Sequence, residues 1–102
     1  MDNPGYHFLQ ATIQQELGLI DESIASLKRA LYLDQNFVPA HFSLGNLALR
    51  RGRVREAGRR FENAMSSLKT LGKDDILPES EGLTAGRMED IIRATDEEVM
   101  AA

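Results

Sequence analysis

HFLQATIQQELGLIDESIASLKRAL, residues 7–31, and HFSLGNLALRRGRVREAGRRFENAM, residues 41–65, are two versions of one pattern set 34 residues apart. His7 meets His41, Phe8 meets Phe42, Gly18 meets Gly52, Glu22 meets Glu56 and Ala30 meets Ala64. Between the identities, small stands on small (Ala11 on Gly45, Ser23 on Ala57) and large on large (Ile13 on Leu47, Leu27 on Phe61, Leu31 on Met65). Each copy reads as two helices about a glycine, because Gly18 and Gly52 follow periodic stretches and can take the positive φ that ends a helix. Beyond the turn, Ile20, Ile24, Leu27 and Leu31 keep helical spacing, as do Val54, Ala57, Phe61, Ala64, Met65 and Leu68. The small residues allow the paired helices to approach, and Leu27 and Phe61 fill the space between them.

Working outward, the two units occupy residues 4–37 and 38–71, and a polar stretch, 72–83, reads as a linker loop. Leu83 and Thr84 then open a last helix over 84–100, with Thr84 as N-cap and Leu83 and Met88 as a hydrophobic staple. Its stripe of Met88, Ile91, Ile92, Thr95 and Val99 is expected to cover the open face of the second unit, since stacked repeats need their ends closed. The expected fold is all-α: a single domain of five helices, two helix-turn-helix units and a capping helix, forming a right-handed solenoid fragment.

Composition agrees with one helical domain: 102 residues, 42% hydrophobic, three prolines and six aromatics. With no cysteine, disulfides, thiolate metal sites and cysteine nucleophiles are excluded. No apolar run approaches the roughly 18 residues of a membrane span, and MDNPGYHF lacks the regions of a signal peptide. A cytoplasmic location without membrane insertion is expected. Neither GxGxxG, P-loop nor a nucleophile beside a base is visible, so the expectation is a fragment that is not an enzyme and holds no cofactor. His7 and His41 sit one repeat apart, too far to share a metal ion, and read as structural. Asp74, Asp75, Glu79 and Glu81 lack the spacing of an EF-hand and read as a solvated linker.

A 34-residue helix-turn-helix unit with small, small, large and small residues at these places resembles the tetratricopeptide repeat, over 68 of the 102 residues. Departures are His7 and His41 where the repeat favours tryptophan, Gln14 and Ala48 where it favours tyrosine, and Gln35 and Lys69 where it favours proline. The resemblance implies a concave groove lined by the first helix of each unit, with Phe8, Thr12, Gln15 and Glu16 from one and Phe42, Asn46, Leu49 and Arg50 from the other. Asn46 and Arg50 would carry polar recognition of a bound peptide. The lysine of repeats that clamp a chaperone carboxylate is replaced by Phe8, which argues against that use.

Residues 50–60 hold six arginines and one glutamate, whereas residues 74–102 hold nine acids and two arginines. Arg50 and Arg51 suit a helix C-terminus. Arg53, Arg55, Arg59 and Arg60 continue a basic surface with Arg51 around the turn. The acidic tail is expected to neutralise part of it, or a partner to meet it. A homodimer that pairs this surface with a neighbour's tail is the alternative. Nucleic acid is not expected as a partner, because no aromatic is interleaved with the arginines and the pI is near 5.1.

ALYLDQNFVPAHFSLGNL, residues 30–47, and LPESEGLTAGRMEDIIR, residues 77–93, look like the C-terminal repeats and closing helix of chemotaxis-receptor methyltransferases of the CheR type. In that family a catalytic domain that uses S-adenosylmethionine and methylates receptor glutamates precedes the repeats. The resemblance implies an interaction or regulatory appendage from a longer chain, with further repeats upstream. Its partner would be a chemoreceptor, another signalling protein or its own catalytic domain.

Overall fold

A computed structural model describes residues 2–101, with side chains described from Asp2 to Glu98. The described residues form five helices: α1 (Pro4–Glu16), α2 (Ile20–Leu33), α3 (Val38–Arg50), α4 (Val54–Leu68) and α5 (Ala85–Ala101). α1 and α3 begin 34 residues apart, and so do α2 and α4, so the offset in the sequence is the offset of the helices.

α1 pairs with α2 and α3 with α4 as hairpins; α2 stacks on α3, and α5 packs on α4. Asn3 caps α1 by accepting the Tyr6 N–H at 2.8 Å, with Pro4 in the first turn. Both hairpin turns close alike. Gly18 and Gly52 have φ of 79° and 73°. Their N–H groups reach Gln15 O and Leu49 O, and the next residues, Leu19 and Arg53, reach Gln14 O and Ala48 O. This pattern satisfies the last carbonyls of each helix and needs a left-handed residue that glycine supplies without strain.

The first core cluster joins Ala11, Leu27 and Ala30 to Phe37, Ala40, Leu44 and Leu47, welding hairpin one to α3. Within it Ser23 is fully buried and donates to Ala11 O at 3.0 Å, which removes the penalty of a buried hydroxyl. Ser67 donates to Asn36 Oδ1 at 3.1 Å and ties the hairpins together. The second cluster centres on Phe61, whose ring lies directly on the backbone at Gly45; a Cβ there would overlap the ring. Unit one uses Ala11 and Leu27 at the same two places. The smaller floor thus carries the larger filler.

The acidic stretch after α4 is a folded loop in which Asp74, Asp75, Glu79 and Glu81 are exposed. Leu77 is 3% exposed and belongs to the second cluster. Its N–H donates to Leu83 O at 2.8 Å, Ala85 N–H to Asp75 O at 2.8 Å, and Gly86 N–H to Lys73 O at 2.9 Å, so the loop clasps the start of α5. Asp75 accepts the Gly72 N–H at 2.8 Å. Thr84 caps α5 by accepting the Arg87 N–H at 3.2 Å, and Met88 and Ile92 bury into the same cluster as Phe61 and Leu68. Ile91 and Thr95 are half-buried. The side chain of Val99, the last member of the expected stripe, lies outside the described ones. No described helix is long and apolar enough to cross a membrane.

Candidate functional site

The eight groove positions form four repeat-equivalent pairs on α1 and α3, and packing already uses several of them. Phe8 is half-buried with its ring 5.9 Å from that of Phe37, and Phe42 lies 5.8 Å from Phe61. Leu49 packs with Phe42 against the cluster that receives α5. Thr12 is exposed, but its hydroxyl donates to Phe8 O at 3.1 Å. Gln15 and Asn46 are half-buried, and Glu16 and Arg50 are exposed. These four are the polar groups this face offers a ligand. None of the eight lines the clefts that follow.

Two clefts lie on the other side of the stack, between α2 and α4 with α3 as floor. The first, about 170 Å³, has Asp21, Ile24 and Lys28 on one wall and Arg53, Glu56 and Arg60 on the other. Leu44, Leu47, Ala48 and Arg51 form its floor. The second, about 370 Å³, continues past Leu31 on α2 to Gln35 in the α2–α3 loop, facing Arg60, Asn63 and Ser67, over His41. Arg60 belongs to both. The wall residues recur every three or four positions, as one face of each helix must.

Of the expected basic surface, Arg51, Arg53 and Arg60 line this trough, while Arg55 and Arg59 do not. The carboxylate that meets the cluster is Asp21, 2.7 Å from the Arg51 guanidinium, and it comes from unit one. The acidic tail does not fill the neutralising role expected of it: among the described ion pairs Arg93 meets Glu89 and Asp90 of its own helix, and none joins residues 50–60 to the tail. Lys28, Arg53 and Arg60 have no described carboxylate within ion-pair range, and Glu56 has no described cation within it.

Both histidines are buried. His7 Nε2 lies 3.3 Å from Asp2 Oδ1 without hydrogen-bond alignment, and the Arg29 guanidinium, more than His7, holds the Asp2 carboxyl below its usual range. His41 Nε2 lies 2.8 Å from Gln35 O, so it carries the ring proton there, and buried Nδ1 finds no partner. Burial lowers the His41 pKa and Arg60 pushes the same way, against the Gln35 hydrogen bond and Asp34. The unfolded chain therefore takes up this proton more readily than the folded one. Stability is full above pH 6.5, the ordinary histidine value, and declines as pH falls below it. Thermal melts across about pH 7.5 to 5.5 should show the midpoint falling with acid, and the slope should shrink in His41→Gln.

No three histidine or carboxylate side chains converge as a ligand set among the described residues. No family model, no curated protein and no solved structure matches the chain.

Proposed function

We propose that the chain is a non-catalytic protein-interaction module of tetratricopeptide type. Its proposed context is the C-terminal appendage of a chemoreceptor methyltransferase, in the cytoplasm, where it binds a protein segment and so places or restrains the enzyme. The observation behind the interaction reading is where the two hairpins agree and where they differ. Scaffold positions repeat in kind: His7 and His41, Ala11 and Gly45, Leu27 and Phe61, Ala30 and Ala64 are buried in both. Surface positions reverse their charge: Glu16 becomes Arg50, Asp21 becomes Arg55 and Lys28 becomes Glu62. A duplicated scaffold with diverged charge is a frame for recognition. The LTAGRM segment at the start of α5 is what supports the methyltransferase context.

Isothermal titration of the chain with a chemoreceptor cytoplasmic fragment and with a methyltransferase catalytic domain tests that context. Binding to either supports it, and heat from neither removes it. Asn46→Ala with Arg50→Glu should weaken the complex if the α1–α3 face is the contact. If affinity capture from nuclease-treated lysate yields no protein partner at all, the interaction reading falls.

Self-association is a second reading, favoured by a stripe on α1. Tyr6, Leu9, Ile13 and Leu17 are 58%, 49%, 59% and 68% exposed, although the counterparts of Tyr6 and Ile13, Ala40 and Leu47, are buried beneath α2. α1 carries no lysine or arginine and one acid, Glu16, so two copies could meet along it without like-charge repulsion. The expected signature is a solution mass that doubles with concentration, resists salt and reverts to monomer in Ile13→Glu. Pairing of the arginine surface with a neighbour's tail would instead weaken with salt. A constant monomer removes both.

A further inference from the structure

We infer that the trough between α2 and α4 is a binding site for an extended acidic peptide bearing apolar side chains. The inference rests on the protein-interaction reading and assigns it a surface on the side away from the α1–α3 face. Three features carry it. The first is continuity: wall positions run from Asp21 to Leu31 on α2 and on to Gln35 just past its end, and from Arg53 at the N-cap of α4 to Ser67. At 1.5 Å per residue the α4 wall spans about 21 Å, room for about six extended residues.

The second feature is charge. Lys28, Arg51, Arg53 and Arg60 line one half of the trough against the carboxylates of Asp21 and Glu56, so cations are in excess; Asp21 engages Arg51, and Lys28, Arg53 and Arg60 have no described carboxylate within ion-pair range. The excess of positive charge around Leu44 and Leu47 repels itself until a ligand supplies the counter-charge. Leu44 and Leu47 of the floor, with Ile24 on the wall beside them, accept an aliphatic side chain between two carboxylates. A nucleic-acid strand would want aromatic platforms for its bases, and neither lining contains an aromatic ring other than His41.

The third feature is the other half, where charge gives way to Gln35, Asn63, Ser66 and Ser67 around the buried His41. Amide and hydroxyl groups on both walls can pair with the N–H and C=O groups of an extended backbone, which no side chain of the peptide satisfies. Arg60 stands at the junction and reaches either half.

Fluorescence anisotropy with a labelled heptapeptide, Glu-Asp-Leu-Glu-Ile-Asp-Glu, tests the site against the same peptide with glutamine and asparagine in place of its acids. The acidic peptide should bind with Kd below about 100 μM, and the amide peptide at least tenfold more weakly. Arg53→Glu with Arg60→Glu should lose at least tenfold, while Arg55→Glu with Arg59→Glu, an identical change of charge outside the trough, should stay within twofold. Asp21→Asn, which frees Arg51, should tighten binding. All variants change exposed or half-exposed groups, and circular dichroism confirms their folding. Equal losses in both arginine pairs would show diffuse attraction and overturn the site, as would equal binding of the amide peptide or stronger binding of an oligothymidylate. If captured protein partners persist with Arg53→Glu, Arg60→Glu while the peptide does not bind, the trough fails and the interaction module stands.

Discussion

Phe61→Ala should lower the unfolding free energy by about 3–5 kcal/mol, the usual cost of removing a buried phenyl ring. The ring is 1% exposed and touches both neighbours that define the second hairpin: the backbone of α3 at Gly45, and the cluster shared with Leu68, Met88 and Ile92. Nothing else can fill that space, because Gly45 has no side chain to move. Against a total stability of about 5–15 kcal/mol for a domain of this kind, the loss leaves little margin at physiological temperature. Urea titration monitored by circular dichroism measures it.

The same contact makes a sharper prediction through its partner. Gly45→Ala gains about 1 kcal/mol of helix propensity, but its methyl group meets the Phe61 ring, and overpacking a fixed contact costs about 1–3 kcal/mol. Phe61→Leu alone leaves a void. Together the two changes rebuild the Ala11 and Leu27 pairing that unit one already uses. The double variant should therefore be more stable than the sum of the single effects by about 1 kcal/mol or more. Strict additivity would show that the ring does not depend on the glycine.

Why the hairpins were legible and the trough was not follows from what each depends on. Helix starts, the glycine turns and the Ala11, Leu27, Gly45 and Phe61 pairs obey local periodicity, and the second copy repeats the signal. Leu77 breaks no pattern: one apolar residue in a polar loop has no period, and its burial depends on where α5 docks. The docking of α5 also decides that Phe42 and Leu49 pack inward. The basic cluster at residues 50–60 is plain in the sequence, but the acid-rich tail points to the wrong carboxylates for it. Asp21 supplies it from 30 residues upstream because α2 stacks on α3, a relation no charge count contains. The stripe Asp21, Ile24 and Lys28 is readable by helical spacing alone. Its opposite wall becomes readable only once the hairpins are superposed.

Ile92→Ala tests how that stack is closed. Ile92 is 1% exposed at the centre of α5's contact with α4, beside Met88 and Ala85. Removing three carbons there should cost about 2–5 kcal/mol, and in a stack whose elements touch only neighbours the loss should stay local. Hydrogen exchange should thus show α5 and the 72–83 loop opening roughly 30-fold more often or beyond, while amides of α1 and α2 change little. Phe42, Leu49 and Met65 would then be uncovered, and dye binding to the exposed apolar face should rise. The loop belongs to the same unit because its backbone bonds hold Ala85 and Gly86, so Leu77→Ala should reproduce the effect from the other side. If exchange instead accelerates evenly through all five helices, α5 is part of one cooperative core, and the hairpins do not hold their fold without it.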